Sequence, residues 1–235
     1  MSAILKIHDL WGGYQTGVDI LRGVSMEVQQ GEAIGIIGLN GSGKSTLGKA
    51  IMNMLPYRRG EITFDGKDIS DLTTSQLSHL GISIMQQGGK VFQTLSVWDN
   101  LQLAMSKHSA KTLERLGGFI PMLQVPQKEL KRTMADKLSG GQEHQLSLAM
   151  TLATSPQLVI LDEPSAGLSP KAVDEMYSML QTAREQLGIT IILIEQNIAR
   201  AVNFCNKSLV MQTGQANIVS GNRGVQDIEK IMFNN

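Results

Sequence analysis

Residues 33–46 read Ala33-Ile34-Gly35-Ile36-Ile37-Gly38-Leu39-Asn40-Gly41-Ser42-Gly43-Lys44-Ser45-Thr46. The small and apolar residues 33–37 predict a buried strand, and helical periodicity from Ser45 to Leu55 predicts a helix that ends before Pro56. Four residues separate Gly38 from Gly43-Lys44-Ser45, which satisfies the phosphate-loop pattern in the strand-to-helix context that it requires. The sequence therefore predicts an α/β fold that binds a nucleotide.

The residue types of this loop suit phosphate binding. Gly41 and Gly43 allow a tight turn whose amides point inward, and the helix that starts near Lys44 adds the positive end of its dipole. Lys44 supplies a charge for the β- and γ-phosphates, and the Ser45 hydroxyl is a ligand for Mg²⁺. We expect the nucleotide-binding residues of this segment to be Gly38, Leu39, Asn40, Gly41, Ser42, Gly43, Lys44, Ser45 and Thr46.

A second predicted strand, Leu158–Leu161, is followed directly by two carboxylates, Asp162 and Glu163. Ligands of open α/β sheets gather at the C-terminal ends of the strands. We expect Asp162 to hold Mg²⁺ directly or through water, and Glu163 to orient and deprotonate the water that attacks the γ-phosphate. Carboxylates at a strand end also cap helices, and this alternative stays open on the sequence alone.

Composition favours a cytoplasmic protein. The 21 basic and 21 acidic residues cancel, so there is no global attraction to nucleic acid or to an anionic membrane. Cys205 is the single cysteine and cannot form an internal disulfide, and no secretory hydrophobic region follows Met1. The longest apolar runs are far shorter than the ~20 residues that cross a bilayer, so they are interpreted as buried strands.

The order of predicted elements indicates a mostly parallel core sheet with an antiparallel N-terminal part. Alternation and β-rich runs predict strands at 4–10, 21–28, 60–66, 82–85, 189–194 and 208–212. Ile82–Met85 has the apolar character of a central strand. An amphipathic helix at Val173–Leu187, between two strands, predicts right-handed crossovers and a parallel sheet.

Residues 88–137 differ in character from the rest of the chain. Helical patterns occur at Val97–Met105, Ala110–Leu116 and Lys128–Ala135, and Gly and Pro residues interrupt them. We predict one domain over residues 1–235 in which 88–137 form an inserted helical subdomain. Residues 1–87 and 138–235 then form the nucleotide-binding core with its antiparallel β part.

The pentapeptide Leu138-Ser139-Gly140-Gly141-Gln142 stands between the phosphate loop and Leu161-Asp162-Glu163. A phosphate loop alone occurs in kinases, GTPases and helicases, whereas this order of motifs resembles the ATP-binding cassette (ABC) ATPase family over nearly the whole chain. In that family the pentapeptide of one subunit closes over the γ-phosphate that the other subunit holds. The resemblance implies the P-loop ABC ATPase fold, ATP and Mg²⁺ as ligands, and a head-to-tail pair. In this pair Ser139, Gly140, Gly141 and Gln142 act on the partner's nucleotide.

Three more residues acquire roles from the resemblance. Tyr14 matches the aromatic residue that stacks on adenine, although packing within its loop is an alternative. Gln87 matches the hinge glutamine, which reaches Mg²⁺ or the attacking water, so it joins Ser45 and Asp162 as an expected metal ligand. Gln196 stands where the family has a histidine, and its amide can donate a hydrogen bond but carries no charge. We therefore expect Glu163 to act as the base, with Gln196 and Gln87 positioning the reactants.

The resemblance also implies a place in the cell and partners. It predicts a transport ATPase on the cytoplasmic face of the membrane, with a second ABC ATPase subunit, identical or different, and separate permease subunits, and no nucleic acid. Val91, Phe92, Met105 and Met122 are candidates for the permease-docking surface, with a place in the core of the insert as the alternative.

The segments Glu195-Gln196-Asn197 and Pro164–Pro170 resemble the ATPases of branched-chain amino acid importers, a group that includes urea and amide uptake systems. Gln86-Gln87 and Glu143-His144-Gln145 depart from that pattern. Two alternatives remain, a free-standing ATPase of a lipid or polysaccharide exporter, and a soluble ABC ATPase that acts on DNA or the ribosome. The sequence shows no coiled coil, second cassette or basic arm of the kind that the last class carries.

Overall fold

The computed structural model describes residues 3–105, 120–219 and 225–233. The strands are β1 Ala3–Gly13, β2 Leu21–Gln29, β3 Ala33–Gly38, β4 Tyr57–Phe64, β5 Lys67–Asp68, β6 Ile82–Met85, β7 Leu158–Asp162, β8 Thr190–Glu195, β9 Lys207–Gln212 and β10 Gln215–Val219. The α-helices are α1 Lys44–Ile51, α2 Thr74–His79, α3 Val97–Met105, α4 Gly140–Ala153, α5 Pro170–Leu187, α6 Ile198–Phe204 and α7 Val225–Phe233. Short 3₁₀ helices lie at Ile120–Leu123, Gln127–Glu129 and Ala135–Lys137.

The core sheet has the order β10-β9-β3-β8-β7-β6, and every neighbouring pair is parallel except β10 with β9. This confirms the predicted α/β class and the mostly parallel sheet. β6 lies at the edge of the sheet, so the expectation of a central strand is wrong. Its residues Ile82 and Met85 are still buried and Ile84 is half-buried, because α2 and α4 pack against the strand.

A second sheet, with the order β2-β1-β4-β5, is antiparallel throughout, as the N-terminal patterns predict. The backbone N–H of Arg22 donates to the carbonyl of Gly214 at 2.8 Å, which ties β2 to the turn between β9 and β10. Gly214 has φ +84°, and a Cβ there would lie 1.9 Å from the carbonyl oxygen of Ile20. Only glycine permits this approach of the two sheets.

Apolar clusters fill both sides of the core sheet. On one side α1 and the antiparallel sheet bury residues such as Leu47 and Ile160, and on the other side α3, α4 and α5 bury residues such as Leu146 and Leu180. A smaller cluster joins α6 and α7 to β3 and β9. Burial of each such aliphatic side chain stabilises the fold by about 1.5–3 kcal/mol, so the C-terminal ends of the strands, which carry the motifs, stand on a well-packed core.

Two helix predictions differ from the structure. α1 ends at Ile51 rather than Leu55, because Asn53 has φ +50° and turns the chain out of the helix. The segment Lys128–Ala135 forms turns and 3₁₀ helices, because the N–H of Val97 donates to the carbonyl of Thr133 at 2.9 Å and Ser96 bridges Met134. This pairing across the fold overrides the local helical pattern.

The prediction at Ala110–Leu116 lies outside the described residues, and the division at residues 88 and 137 stays a prediction. In the part of the chain that the structure describes, no helix combines the length and the hydropathy needed to cross a membrane.

Candidate active site

Four segments that are far apart in the sequence meet where the C-terminal ends of the core strands lie side by side. The phosphate loop follows β3, Asp162 ends β7, Gln196 follows β8, and Gln87 comes shortly after β6. Because these strands run parallel, their C-terminal ends lie at the same edge, where α/β folds bind ligands.

The phosphate loop has the backbone that its glycines predict. Gly41 and Gly43 have φ values of +80° and +105°, and Gly43 is the N-cap of α1. The buried Lys44 Nζ donates to the carbonyl oxygens of Gly38 at 2.8 Å and Leu39 at 3.0 Å. Burial lowers the pKa of Lys44, and the nearby carboxylates oppose this shift. The ammonium is therefore held inside the loop, next to the amides of a helix N-terminus, an arrangement suited to phosphate.

Two oxygen atoms that are candidate metal ligands lie next to each other, one on the side chain of Ser45 at the start of α1 and one on the side chain of Asp162 at the end of β7. The Ser45 hydroxyl donates to Asp162 Oδ1 at 2.8 Å. Burial raises the pKa of Asp162, whereas the hydrogen bond from Ser45 lowers it. A hydroxyl and a carboxylate at this distance fit the oxygen preference of Mg²⁺, which keeps several waters and takes other ligands from the nucleotide.

Glu163 lies between two side-chain amides. Gln87 Nε2 donates to Glu163 Oε2 at 2.9 Å, and Gln196 Nε2 donates to Glu163 Oε1 at 2.6 Å. The backbone of Glu163 has φ +48°, and its N–H donates to the carbonyl of Ile194 at 2.9 Å. Each carboxylate oxygen thus has one amide donor, and the orientation of the carboxylate is set from both sides. Glu163 is brought together with both glutamines that the sequence singles out, and in this structure the Gln87 amide nitrogen is directed at Glu163.

Tyr14 lies beside α1 and is 48% exposed. Lys49 Nζ donates to its hydroxyl at 3.2 Å and lies 5.3 Å from its ring centroid. Lys49 is one helical turn after Ser45, so the tyrosine stands near the phosphate loop with part of its ring open to a flat ligand.

The pentapeptide begins α4 through a capping box. The N–H of Gln142 donates to Ser139 Oγ at 3.3 Å, and the N–H of Ser139 donates to Gln142 Oε1 at 3.0 Å. A cavity of about 520 Å³ is lined by residues 139–145 at the start of α4, by residues 166–169, 171, 172 and 175, and by Gly88 and Gln124. No residue of the loop 38–46 is among the described residues that line it. The structure does not bring the pentapeptide to the phosphate loop of its own chain.

Two buried polar residues near the site have no role assigned from the sequence. Glu195 ends β8 and His144 lies in the first turns of α4, with exposures of 2% and 6%. The His144 ring bonds to the backbone of Pro164, whose only polar backbone group is its carbonyl, and its Nε2 has no partner among the described atoms. A charged residue directly after the apolar run 191–194 is the signal that points to Glu195.

The candidate docking residues do not share one environment, and for Met105 and Val91 the structure agrees with the alternative of a place in the core. Met105 is buried in the core beside α4, and Val91 packs against the same cluster. Phe92 is exposed, and the side chain of Met122 lies outside the described residues.

Comparisons with known proteins agree with these features. Residues 21–166 match the sequence model of a family described as ABC transporter. The high-affinity branched-chain amino acid transport ATP-binding protein BraG of Pseudomonas aeruginosa is 30% identical over 206 residues, 86% of each chain. The lipopolysaccharide export system ATP-binding protein LptB of Escherichia coli is 29% identical over 215 residues, 90% of this chain and 88% of that protein. Among solved structures, cbiO1 from Clostridium perfringens, part of the ABC transporter complex cbiONQ, has a TM-score of 0.83. Its identity is 28%, with 98% of this chain and 93% of that chain covered.

Proposed function

This chain belongs to the ABC transporter family as an ATP-binding subunit with ATPase activity, and we propose that its turnover drives transport through separate permease subunits. The observation that most supports the hydrolytic part of this function is the carboxylate of Glu163, which lies between the amides of Gln87 and Gln196 at the C-terminal ends of the strands that carry the phosphate loop. An oriented carboxylate beside a phosphate site is what a water-activating base requires.

In the proposed reaction, the amides of the phosphate loop and Lys44 bind the β- and γ-phosphates of ATP. A water oxygen forms a bond to the γ-phosphorus while the bond from phosphorus to the β–γ bridging oxygen breaks, and Glu163 accepts the proton of the water. ADP and phosphate leave. The two glutamine amides hold Glu163 in place and carry no charge. Mg²⁺ held by Ser45 and Asp162 would neutralise charge on the phosphates.

We further propose that two subunits pair head to tail, with the pentapeptide of each over the nucleotide of the other. Gly140 supports this geometry, because it is exposed and, apart from its chain neighbours and the backbone of its own helix, no described atom lies within 4 Å of the place where its Cβ would be. An aspartate at this first position of α4 is compatible with the helix, since acidic residues favour helix N-termini. The same aspartate would repel a phosphate that approaches from the partner.

Mixing two inactive variants tests the pairing. Lys44→Ala removes the positive charge that binds the phosphates of ATP. Gly140→Asp places a negative charge at the start of α4, where the partner's γ-phosphate would bind. In a mixed head-to-tail dimer, one site combines an intact phosphate loop with an intact pentapeptide. Mixing equal amounts should therefore restore about a quarter of the wild-type ATPase rate if subunits exchange freely and sites act independently. No recovery, with exchange verified by labelled subunits, would contradict action on the partner's nucleotide.

The permease is proposed to dock at a groove of about 370 Å³ between β6, α2 and the neighbouring helices. Met85, Gln86 and Lys90 line this groove, which has an exposed lysine at its border. Gln87 comes directly after Gln86, and its amide donates a hydrogen bond to Glu163. A permease helix that binds in the groove would therefore be able to shift one of the two amides that orient the proposed base. Lys90→Glu should reduce co-purification with the permease and leave the ATPase rate of the free subunit unchanged.

For the cargo we propose import of an amino acid or a small amide, supported by the Glu195-Gln196-Asn197 segment and by the likeness to BraG. Export of a lipid or polysaccharide is the second candidate, since LptB is nearly as similar. Co-expression with candidate permease subunits of an amino acid importer or of a lipid exporter, followed by reconstitution in vesicles, separates the two. Uptake of labelled leucine or urea that depends on ATP supports import, and extraction of a lipid from the vesicle supports export.

A further inference from the structure

Glu195 joins the two segments that flank the catalytic carboxylate. Its Oε1 accepts a hydrogen bond from the backbone N–H of Ser165 at 3.3 Å, and its Oε2 accepts one from the backbone N–H of Gln196 at 3.2 Å. Ser165 comes two residues after Glu163, and the Gln196 side chain donates to Glu163. One buried carboxylate therefore holds the backbone on both sides of the residue that we assign as the base.

The position of Glu195 is costly for the fold. It is 2% exposed, and within the described ranges no cation forms an ion pair with it. Tyr177 on α5 and Cys205 after α6 lie close enough to feel its charge, and the Tyr177 hydroxyl has no partner among the described atoms. Burial of a carboxylate without a cation disfavours folding. Stability alone thus does not account for a charged residue at this position.

We propose that Glu195 is a positioning residue for ATP hydrolysis. Its two oxygens fix the backbone of Gln196, so that the Gln196 amide stays on Glu163, and fix the segment at Ser165 that leads to the cavity lined by the pentapeptide. This inference rests on the proposed role of Glu163 as the base. A carboxylate suits the task because both of its oxygens accept hydrogen bonds, from the backbone N–H groups of Ser165, Gln196 and Asn197 and from the Ser165 hydroxyl. A glutamine would direct its NH₂ group at the N–H donors on one side.

Glu195→Gln should therefore lower kcat about tenfold, the scale expected for one lost hydrogen bond to a charged group. The KM for ATP should stay within about twofold, because Glu195 has no described hydrogen bond to the phosphate loop or to Tyr14, and kcat and kcat/KM should fall together. A general loss of structure would instead raise KM or reduce the amount of active protein.

The experiment compares wild type, Glu195→Gln, Gln196→Ala and the double variant in steady-state ATPase assays of the full chain. Glu61→Gln, an exposed position on β4, is the matched control and should behave as wild type. If Glu195 acts through Gln196, the kcat of the double variant should lie within about twofold of the kcat of the slower single variant. The inference is overturned if kcat of Glu195→Gln lies within about twofold of wild type, or if the two losses multiply.

Two further variants keep the test decisive. If Glu195→Gln does not fold, as judged by its thermal unfolding transition, Glu195→Asp replaces it. The aspartate keeps both acceptors at a shorter reach, so the same loss of kcat at constant KM is expected, and an unchanged kcat overturns the inference. Glu163→Gln is measured in parallel. If Glu163→Gln turned over ATP normally, the assignment of Glu163 as the base would be wrong. If Glu163→Gln were inactive and Glu195→Gln had normal kcat, only the role of Glu195 would be overturned.

Discussion

Gln196 Nε2 lies 2.6 Å from Glu163 Oε1 although the two residues are 33 positions apart in the sequence. β7 and β8 are parallel neighbours, so the residues that follow them meet at the edge of the sheet. A neutral amide therefore occupies the position beside the carboxylate for which the resemblance leads one to expect a histidine. This contact makes separate predictions for the two residues.

Glu163→Gln should lower ATP turnover by about 10²–10⁴-fold, the range that general-base catalysis contributes. ATP binding should be retained, because Lys44 and the phosphate loop are unchanged. With saturating Mg-ATP the variant should accumulate as a closed dimer in light scattering, and Lys44→Ala, which should not bind ATP, serves as the control. Near-normal turnover would exclude Glu163 as the base.

Gln196→Ala should lower kcat about tenfold, less than Glu163→Gln, because it removes one hydrogen bond and leaves the carboxylate in place. An amide does not titrate, so residue 196 contributes no step to the pH–rate profile of the wild type. Gln196→His should add a step at or above the ordinary pKa of histidine, about pH 6.5, because the neighbouring Glu163 carboxylate favours the protonated imidazole. A Gln196→Ala variant that loses as much activity as Glu163→Gln would show that our division of roles is wrong.

Tyr14→Ala should raise the KM for ATP about tenfold, since stacking of a base on an aromatic ring contributes about 1–3 kcal/mol. Tyr14→Phe keeps the ring and loses only the hydroxyl that meets Lys49, so its KM should be close to that of wild type. The kcat of both variants should be unchanged. Equal losses in the two variants would indicate that the hydroxyl, rather than the ring face, matters.

His144 predicts a pH dependence of stability. Burial lowers its pKa, partly offset by its hydrogen bond to the Pro164 backbone. The unfolded chain then takes up the proton at higher pH than the folded chain, so the contribution of His144 is complete above about pH 6.5 and is lost as the pH falls below it. Chemical unfolding at pH 7.5 and pH 5.5 should show a larger loss of stability for wild type than for His144→Gln.

The comparison with His144→Gln is needed because the buried carboxyl groups of Asp162 and Glu195 have raised pKa values and act in the opposite direction. Their effect is common to both proteins and cancels in the difference. An equal or smaller loss in wild type than in His144→Gln would contradict the prediction.

Local sequence patterns predict the segments that form the candidate site. The glycine spacing of 38–46 predicts the loop and the start of α1, and the apolar run 158–161 predicts the strand that ends in the two carboxylates. These signals are strong because turn chemistry and periodicity act within a few residues of each other. The strand order and the parallel pairing of the core sheet confirm the fold class that these signals predict.

The tertiary structure decided how these parts meet. It moved Ile82–Met85 to the sheet edge, and it replaced the helix predicted at Lys128–Ala135 by pairing with Ser96 and Val97. It also directed two distant glutamine amides onto one carboxylate and buried Glu195 behind them. Such contacts depend on strand order and on packing between elements, which no local periodicity encodes. The sequence thus specified the candidate reacting groups, while their mutual orientation followed from the assembled sheet.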